Sequence, residues 1–351
     1  MDAKTVGIER HTGVGHAIRS SAGRGWRFLE FLALTKPRIM ALAVFTALVG
    51  LNSAPVRLDP LTTLAAVLAI ATGAAAAGVL NMWYDADIDA IMSRTAMRPI
   101  PRGRISRFEA LAFGLVLSGF AVTVLALATN LTAAALLACT ILFYVVVYTA
   151  WLKRATRQNI VIGGAAGALP PVIGWTAATG HVALEPLAMF LIIFLWTPPH
   201  FWALALNRAD DYARAGVPML PVVAGRAATT RQILIYSGLL VLASELPWVL
   251  GFAGTVYGAI ATSCGALFLL LALQLNRRIG TDRRTAHRLF VFSIFYLFAL
   301  FAVLLVDHGR DSLSPMASSP GGCAAGSVHA ELLQGSVRNA PCFLNLSTGE
   351  V

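Results

Sequence analysis

The sequence predicts an all-α, polytopic membrane protein whose helices pack into a single bundle. Of the 351 residues, 57% are hydrophobic and only 13% are charged. The apolar residues fall into runs of about twenty, which is the length needed to cross the hydrocarbon core of a bilayer. A soluble domain would not need such uncharged runs. The runs are also rich in Ala and Gly, which lets helices approach one another closely.

Nine runs are long enough to be membrane-spanning helices. The predicted spans are 33–53, 60–82, 108–128, 132–151, 158–178, 187–206, 233–252, 255–274 and 288–307. Gly163 and Gly167 form a small-xxx-small pair that predicts close helix contact in the fifth span. The runs divide the chain into a cytoplasmic N-terminal tail at 1–30, a membrane domain at 31–308 and a C-terminal tail at 309–351. The Gly-, Ser- and Pro-rich C-terminal tail is expected to be disordered.

Basic residues concentrate on one side of the predicted membrane. The N-terminal segment and the even-numbered loops carry 24 of the 27 Lys and Arg residues. By the positive-inside rule these segments face the cytoplasm, and the C-terminal tail lies on the other side. The net charge of +10 is explained by basic residues that contact membrane lipid, so no nucleic-acid partner is expected. The expected location is the bacterial inner membrane, with the mitochondrial inner membrane as the alternative.

The loop after the second span begins with regularly spaced acidic residues. If the helix continues past Asn81, then Asn81, Asp85 and Asp89 lie on one face, and Asp87 points away from it. Stacked carboxylates repel each other unless a cation lies between them, and hard oxygen ligands suit Mg²⁺. The alternative is a solvated charge cluster at the membrane surface.

Arginines follow the acidic residues directly. Arg94 and Arg98 are expected to lie one helical turn apart, before Pro99 and Pro101 end the helix. Carboxylates and guanidinium groups in one site suggest an anion bridged by a metal. A diphosphate fits because Mg²⁺ binds it on one side and the planar fork of Arg on the other.

A second polar set lies at the end of the sixth span. Asn207 and Asp211 repeat the i, i+4 spacing, and Asp210 is adjacent. Two such sets on one side of the membrane predict that each holds a Mg²⁺ ion against one diphosphate. Surface polarity is the alternative. The loop after the fourth span adds candidate phosphate donors, for which positive-inside anchoring is the alternative: Tyr148, Lys153, Arg154 and Arg157.

Five stretches, in this order, resemble the UbiA superfamily of intramembrane prenyltransferases and, within it, the branch that farnesylates protohaem IX. They are "LTKPRI" at 34–39, "NMWYDADIDAIMSRTAMRP" at 81–99, "NIVIGGAAGALPPVIGW" at 159–175, "WTPPHFWALAL" at 196–206 and "DYARAGVPMLPVV" at 211–223. The resemblance implies a nine-helix bundle with a central cavity. It also implies Mg²⁺-dependent ionisation of farnesyl diphosphate and attack by a vinyl group of haem B, giving haem O. Downstream haem A synthase and oxidase assembly factors are candidate partners.

The resemblance also assigns roles to individual residues. One Mg²⁺ ion would be held by Asn81, Asp85 and Asp89. A second would be held by Asp211 with Asn207 or Asp210, although Asn207 departs from the superfamily pattern, which has Asp at that place. The positions implied to bind diphosphate are Arg94, Arg98, Tyr148, Lys153 and Arg154, and the implied catalytic residues are Asp85, Asp89 and Lys153.

His200 follows Pro198 and Pro199 within the sixth span, where the prolines are expected to interrupt backbone hydrogen bonding and widen the bundle locally. Under the resemblance, His200 contacts the porphyrin as an axial iron ligand or a propionate partner. The alternative is a neutral histidine bonded to a backbone carbonyl that the prolines release.

Two other functions remain as alternatives. A related prenyltransferase that acts on an aromatic or quinone precursor would share both Asp sets, but "TPPHFWAL" and "GVPMLPVV" argue against it. A transporter would place carboxylates near mid-membrane, whereas these lie at helix ends.

Overall fold

The computed structural model describes residues 24–277 and 283–311, and every regular element in these ranges is helical. The two predicted tails, 1–30 and 309–351, lie largely outside the described residues. In chain order the α-helices are α1 Arg24–Leu34, α2 Pro37–Asn52, α3 Pro60–Tyr84, α4 Ala86–Ile91, α5 Arg107–Ala128, α6 Leu131–Leu142, α7 Lys153–Ala155, α8 Asn159–Ala168, α9 Pro170–Thr179, α10 Leu184–Leu206, α11 Ala209–Arg214, α12 Leu220–Val223, α13 Gly225–Ser244, α14 Leu246–Val249, α15 Thr255–Arg277 and α16 Arg283–Asp311.

Within the described residues, eight helical stretches are long and apolar enough to cross a membrane, which confirms the predicted helical membrane bundle. They are Pro60–Tyr84, Arg107–Ala128, Leu131–Ala155, Asn159–Thr179, Leu184–Leu206, Gly225–Val249, Thr255–Arg277 and Arg283–Asp307.

The first predicted span, 33–53, differs from the others because a turn divides it. Lys36 has a left-handed backbone (φ 53°, ψ 53°), the one positive φ outside glycine in the described part of the chain. The residue before a proline is disfavoured in the right-handed α conformation, which favours a helix boundary at Pro37. The 16-residue helix α2 therefore supplies the ninth apolar element.

Two further boundaries differ from expectation. The seventh span begins at Gly225, eight residues before the predicted position 233. The sixth, α10, begins at Leu184, three residues before the predicted position 187, and runs as one continuous helix through Pro198 and Pro199. The two prolines lack N–H groups and so still interrupt its backbone hydrogen bonding, as predicted. Both prolines are buried among neighbouring helices, and packing in a bundle can hold a helix whose backbone hydrogen bonds are incomplete.

Glycines set the closest helix contacts. A Cβ atom added at Gly50 would overlap the backbone of Pro171, so α2 and α9 approach within backbone distance. A Cβ atom at Gly163 would overlap the ring of Tyr148, whereas one at Gly167 would meet nothing within 4 Å. Of the predicted Gly163–Gly167 pair, only Gly163 therefore lies at a close contact.

Between α6 and α7 the chain forms a ten-residue π-helix, Phe143–Leu152. Such wide turns are rare and often occur at functional sites. The Thr149 hydroxyl donates to the Tyr144 carbonyl oxygen at 2.8 Å, and the rings of Tyr144 and Tyr148 lie 5.3 Å apart. The segment ends directly before Lys153, which begins α7.

Candidate functional site

The candidate site forms where the ends of α3, α7 and α10 meet at one end of the bundle. Lys153 at the start of α7 forms an ion pair with Asp85 at the end of α3. The Ser93 hydroxyl, just beyond α4, donates to Asp211 of α11 at 2.7 Å. These contacts bring the two predicted Asp sets and the basic loop to the same end of the molecule.

The first Asp set forms a buried polar face. Asn81, Asp85 and Asp89 are 5%, 0% and 2% exposed, whereas the side chain of Asp87 is 53% exposed. Asp85 forms the bend between α3 and α4, with φ −83° and ψ 9°. The i, i+4 backbone hydrogen bonds nevertheless continue through it, from Asp85 to Asn81 and from Asp89 to Asp85, so the three residues stay on one face.

Both buried carboxylates of this set have a cationic partner. Lys153 pairs with Asp85 Oδ2, and Arg98 Nη1 lies 2.5 Å from Asp89 Oδ2. The second oxygen of Asp85, Oδ1, is buried and has no hydrogen-bond partner. One oxygen of the set is therefore left for a ligand that the chain does not supply.

Lys36 belongs to this site although sequence reasoning did not place it there. Its Nζ donates to Asn81 Oδ1 at 2.8 Å. This bond orients the amide, whose Nδ2 donates to Asp85 Oδ2 at 2.7 Å. Removal from water, and then the charges of Arg98 and Lys153, lower the pKa of Lys36 to about 7. The only signal in the sequence was a Lys–Pro pair at the start of an apolar run.

Arg154 joins α7 to the exposed side of α4. It donates two hydrogen bonds of 2.8 Å to Asp87 and lies over the Tyr84 ring, 5.0 Å from its centre. The hydrogen bond from Arg154 lowers the pKa of Asp87 to about 2. Its distance to Asp85 Oδ1 is 3.9 Å, so Arg154 borders the buried set.

The two arginines after the first set diverge, contrary to expectation. Helix α4 ends at Ile91, before either arginine. The Thr95 hydroxyl donates a hydrogen bond of 3.0 Å to the backbone carbonyl oxygen of Asp89. This bond favours a turn over continuation of the helix. Arg98 consequently pairs with Asp89, whereas Arg94 is exposed. The predicted single helix ending at Pro99 is wrong.

The second set is held differently from the first. Asp211 is 5% exposed and pairs with Arg214, while Arg208 lies 3.9 Å away. The hydrogen bond from Ser93, and then Arg214, lower the pKa of Asp211. Asn207 donates to a backbone carbonyl at 3.2 Å, and its buried Oδ1 has no hydrogen-bond partner. Asp210 is exposed.

Tyr148 lies in the π-helix that leads into Lys153. It is within electrostatic range of both Asp85 and Tyr212, and its ring packs on Gly163 of α8. Tyr148 therefore connects α8 with the segment that carries the basic residues of the site.

His200 lies deeper in the bundle and is not part of the charged layer. Its ring stacks between Trp196, at 4.2 Å, and Phe290, at 4.6 Å. His200 Nδ1 lies 2.6 Å from the Ser293 hydroxyl, which itself donates to the Phe290 carbonyl. The Ser293 oxygen therefore accepts from Nδ1–H, and Nε2 carries the lone pair. The partner is a hydroxyl group, not the backbone carbonyl of the alternative interpretation.

Comparison with known proteins identifies related sequences. The UbiA prenyltransferase family matches residues 43–307. A protoheme IX farnesyltransferase of Afipia carboxidovorans is 59% identical over 289 residues, which are 82% of this chain and 92% of that protein. A protein of the same name from a Bradyrhizobium species is 57% identical and covers 82% and 93%.

Solved structures show the same fold at low sequence identity. A digeranylgeranylglyceryl phosphate synthase superposes with a TM-score of 0.68 at 20% identity, covering 81% of this chain and 99% of that one. A UbiA homologue from Archaeoglobus fulgidus, bound to DMAPP and Mg²⁺, has a TM-score of 0.62 at 18% identity and covers 79% and 99%.

Proposed function

The chain belongs to the UbiA prenyltransferase family, and we propose that it transfers the farnesyl group of farnesyl diphosphate to a vinyl group of haem B, giving haem O. The relatives of 57–59% identity are named for this reaction. The observation that carries the proposal is the meeting of three buried aspartates, two from the first set and Asp211 from the second, with Lys153 and Arg98 at one end of an apolar bundle. Such a site fits a diphosphate head group whose prenyl tail enters the bundle.

The oxygen donors of the site fit Mg²⁺ bound jointly by protein and substrate. Asp85 Oδ1 and Asn207 Oδ1 are buried and have no hydrogen-bond partner. Among the described residues, no three His, Cys, Asp or Glu side chains form a complete metal site. Mg²⁺ commonly takes one or two carboxylates and completes its shell with water and phosphate oxygens. Asn81, Asp85 and Asp89 would hold one ion, and Asn207 with Asp211 a second.

When bound, Mg²⁺ neutralises the charge that develops on the departing diphosphate. Lys153 and Arg98 are placed to donate to the same oxygens, because each already lies beside a carboxylate of the first set. Asp210 is exposed, so it is the weakest candidate for a metal ligand in the second set. Arg94, which is exposed, would reach the diphosphate from the solvent side, and Arg154 would bind it at the rim of the first set.

The reaction balances with one molecule of water. The C–O bond of farnesyl diphosphate breaks, and its electron pair leaves on the diphosphate. The allylic carbon then bonds to the terminal vinyl carbon of haem B, the inner vinyl carbon becomes electron-deficient, and water adds to it and releases a proton. The apolar bundle protects the allylic cation from other water molecules.

His200 is the candidate contact for the porphyrin. It lies seven residues before Asn207 on α10, which is about two helical turns or ~10 Å. Its Nε2 lone pair suits an axial bond to iron, with Ser293 fixing the tautomer from the other nitrogen. A porphyrin at this depth would lie below the diphosphate and within reach of the prenyl chain.

The membrane and its orientation complete the proposal. The eight spanning helices make the chain an integral membrane protein. The bacterial origin of the relatives supports the inner membrane, and the distribution of basic residues supports a site that opens to the cytoplasm.

A direct test is product formation. Purified protein in nanodiscs is incubated with haem B, farnesyl diphosphate and Mg²⁺, and haem O is identified by mass. Parallel reactions replace haem B with a hydroxybenzoate or add a chelator. Farnesylated haem that requires the divalent ion supports the proposal. Prenylation of the aromatic acid alone would instead favour the sibling enzyme class.

A further inference from the structure

Asn159, the first residue of α8, has an unpaired buried side chain. It is 1% exposed, yet neither its amide nitrogen nor its amide oxygen has a hydrogen-bond partner. Buried polar atoms in folded proteins are nearly always hydrogen-bonded, and leaving both ends of an amide unpaired destabilises the fold. The side chain is therefore expected to bond a molecule that the chain does not contain.

The position of Asn159 connects it to the candidate site. A three-residue turn, Thr156–Gln158, separates it from α7, which carries Lys153. Four residues further along α8, and so on the same face, Gly163 packs against the ring of Tyr148. Tyr148 lies in the π-helix that ends at Lys153, the partner of Asp85, so Asn159 is one helical turn from a ring beside the charged layer.

The surroundings of Asn159 favour an anion. The start of a ten-residue helix directs the positive end of its dipole toward the turn. Lys153, Arg154 and Arg157 all precede it within six residues. A phosphate oxygen accepts hydrogen bonds and carries negative charge, so it matches both the free Nδ2 donor and this positive environment.

We propose that Asn159 is a further diphosphate-binding residue, whose Nδ2 donates to an oxygen of the prenyl diphosphate while Oδ1 accepts from a water molecule on the same anion. This inference rests on the proposed function, because the anion is the head group of the proposed substrate. It explains why a polar amide is retained, unpaired, at the buried start of a membrane helix.

Asn159→Leu tests the proposal, because leucine nearly preserves the volume but removes both polar atoms. Without ligand, the variant should have a higher Tm than the wild type, since the unpaired amide is gone. Its affinity for inorganic diphosphate in the presence of Mg²⁺, measured by calorimetry in nanodiscs, should fall about ten-fold or more. A structural amide would not give these opposite changes.

Asn130→Leu is the matched control. Asn130 caps α6 at the opposite end of that helix from Lys153, and both ends of its amide are hydrogen-bonded. Its replacement should lower Tm and leave diphosphate affinity unchanged. Asn159→Asp provides a second test variant of nearly identical shape, in which the added negative charge should weaken diphosphate binding further.

The outcomes are distinguishable. If the wild type binds diphosphate and Asn159→Leu or Asn159→Asp binds it equally well, the role of Asn159 is overturned but the proposed function is not. Wild-type protein that binds neither inorganic diphosphate nor farnesyl diphosphate with Mg²⁺ overturns the proposed function and this assignment with it.

Discussion

At the scale of single residues, the site separates three nearby aspartates by burial. Asp85 and Asp89 are buried and paired with Lys153 and Arg98, whereas Asp87 is half-exposed and pairs with Arg154 at the surface. A buried carboxylate is stable only beside a compensating charge. The three residues can therefore be tested against one another within one short segment.

Asp85→Asn and Asp89→Asn should each lower kcat by about a hundred-fold or more, because each removes charge from the site that neutralises the leaving group. Asp87→Asn should stay within a few-fold of the wild type. Haem O formation by mass is the measurement. Since Asp85→Asn leaves Lys153 without its partner, the folded fraction of each variant is measured too. Near-normal turnover in both buried variants would contradict the metal assignment.

The Asp87–Arg154 pair has a defined pH dependence. The pKa of Asp87 is lowered to about 2 by the hydrogen bond from Arg154, so the pair contributes stability above the unfolded pKa and loses it as pH falls through about 2. Because Asp87 is exposed, solvent limits this contribution to about 0.5–1 kcal/mol. The Tm difference between wild type and Asp87→Asn should be constant from pH 5 to 7 and vanish near pH 2. A difference that disappears by pH 5 would contradict the pairing.

His200 separates haem binding from diphosphate binding. If Nε2 binds iron, His200→Ala should shift the absorption spectrum of bound haem B and weaken its binding, while Mg²⁺-dependent diphosphate affinity stays unchanged. Ser293→Ala is the control, because it removes the hydrogen bond to Nδ1 and keeps the imidazole. If His200 only stabilises the α10–α16 contact, His200→Ala should cost about 1–3 kcal/mol of stability. The haem spectrum of the folded variant would then not change.

At the scale of elements, the apolar runs predict helices well and their ends poorly. In a bilayer, few folds are stable for a run of about twenty apolar residues. Eight of the predicted spans therefore agree with the structure. The ends depend on local competition instead. The Thr95 hydroxyl stops α4 from extending to Arg94, and packing carries α10 through Pro198 and Pro199. Neither effect follows from hydropathy.

Gly163 provides a test of helix packing. Gly163→Ala should lower the free energy of unfolding by about 1–3 kcal/mol, because the added methyl group would overlap the Tyr148 ring. Gly167→Ala is the matched control on the same helix, since nothing lies within 4 Å of its added Cβ atom. Thermal unfolding in one detergent compares the two. Equal Tm values would show that α8 and the π-helix can separate without cost.

At the scale of the whole molecule, the spacing of Asn81, Asp85 and Asp89 predicted a shared face because helical periodicity is a local property. Their metal-binding role stays a prediction. Lys36 was missed because it reaches Asn81 across 45 residues. The Ser93–Asp211 contact spans 118 residues. Such partners depend on how helices pack, which no spacing within one segment encodes.

The orientation of the bundle can be tested by cysteine labelling. In a cysteine-free background, Met97→Cys and Val56→Cys place single thiols at exposed positions in the second and first loops. An impermeant maleimide added to intact spheroplasts should label Val56→Cys, and inside-out vesicles should expose Met97→Cys. Both thiols are accessible, so reversed labelling would invert the cytoplasmic assignment.

The paired prolines of α10 have a consequence for hydration. Pro198 and Pro199 lack N–H groups, so the carbonyl groups of Phe194 and Leu195, one turn earlier, cannot receive the usual helical hydrogen bonds from them. Phe194 and Leu195 are only partly buried, and their carbonyl groups remain acceptors that those two helical bonds do not use. Formation of a hydroxyl-bearing product needs one water at the vinyl carbon and none at the allylic cation. A helix that keeps its course while giving up two hydrogen bonds therefore offers water two acceptors, on the same helix as His200, in an otherwise apolar span.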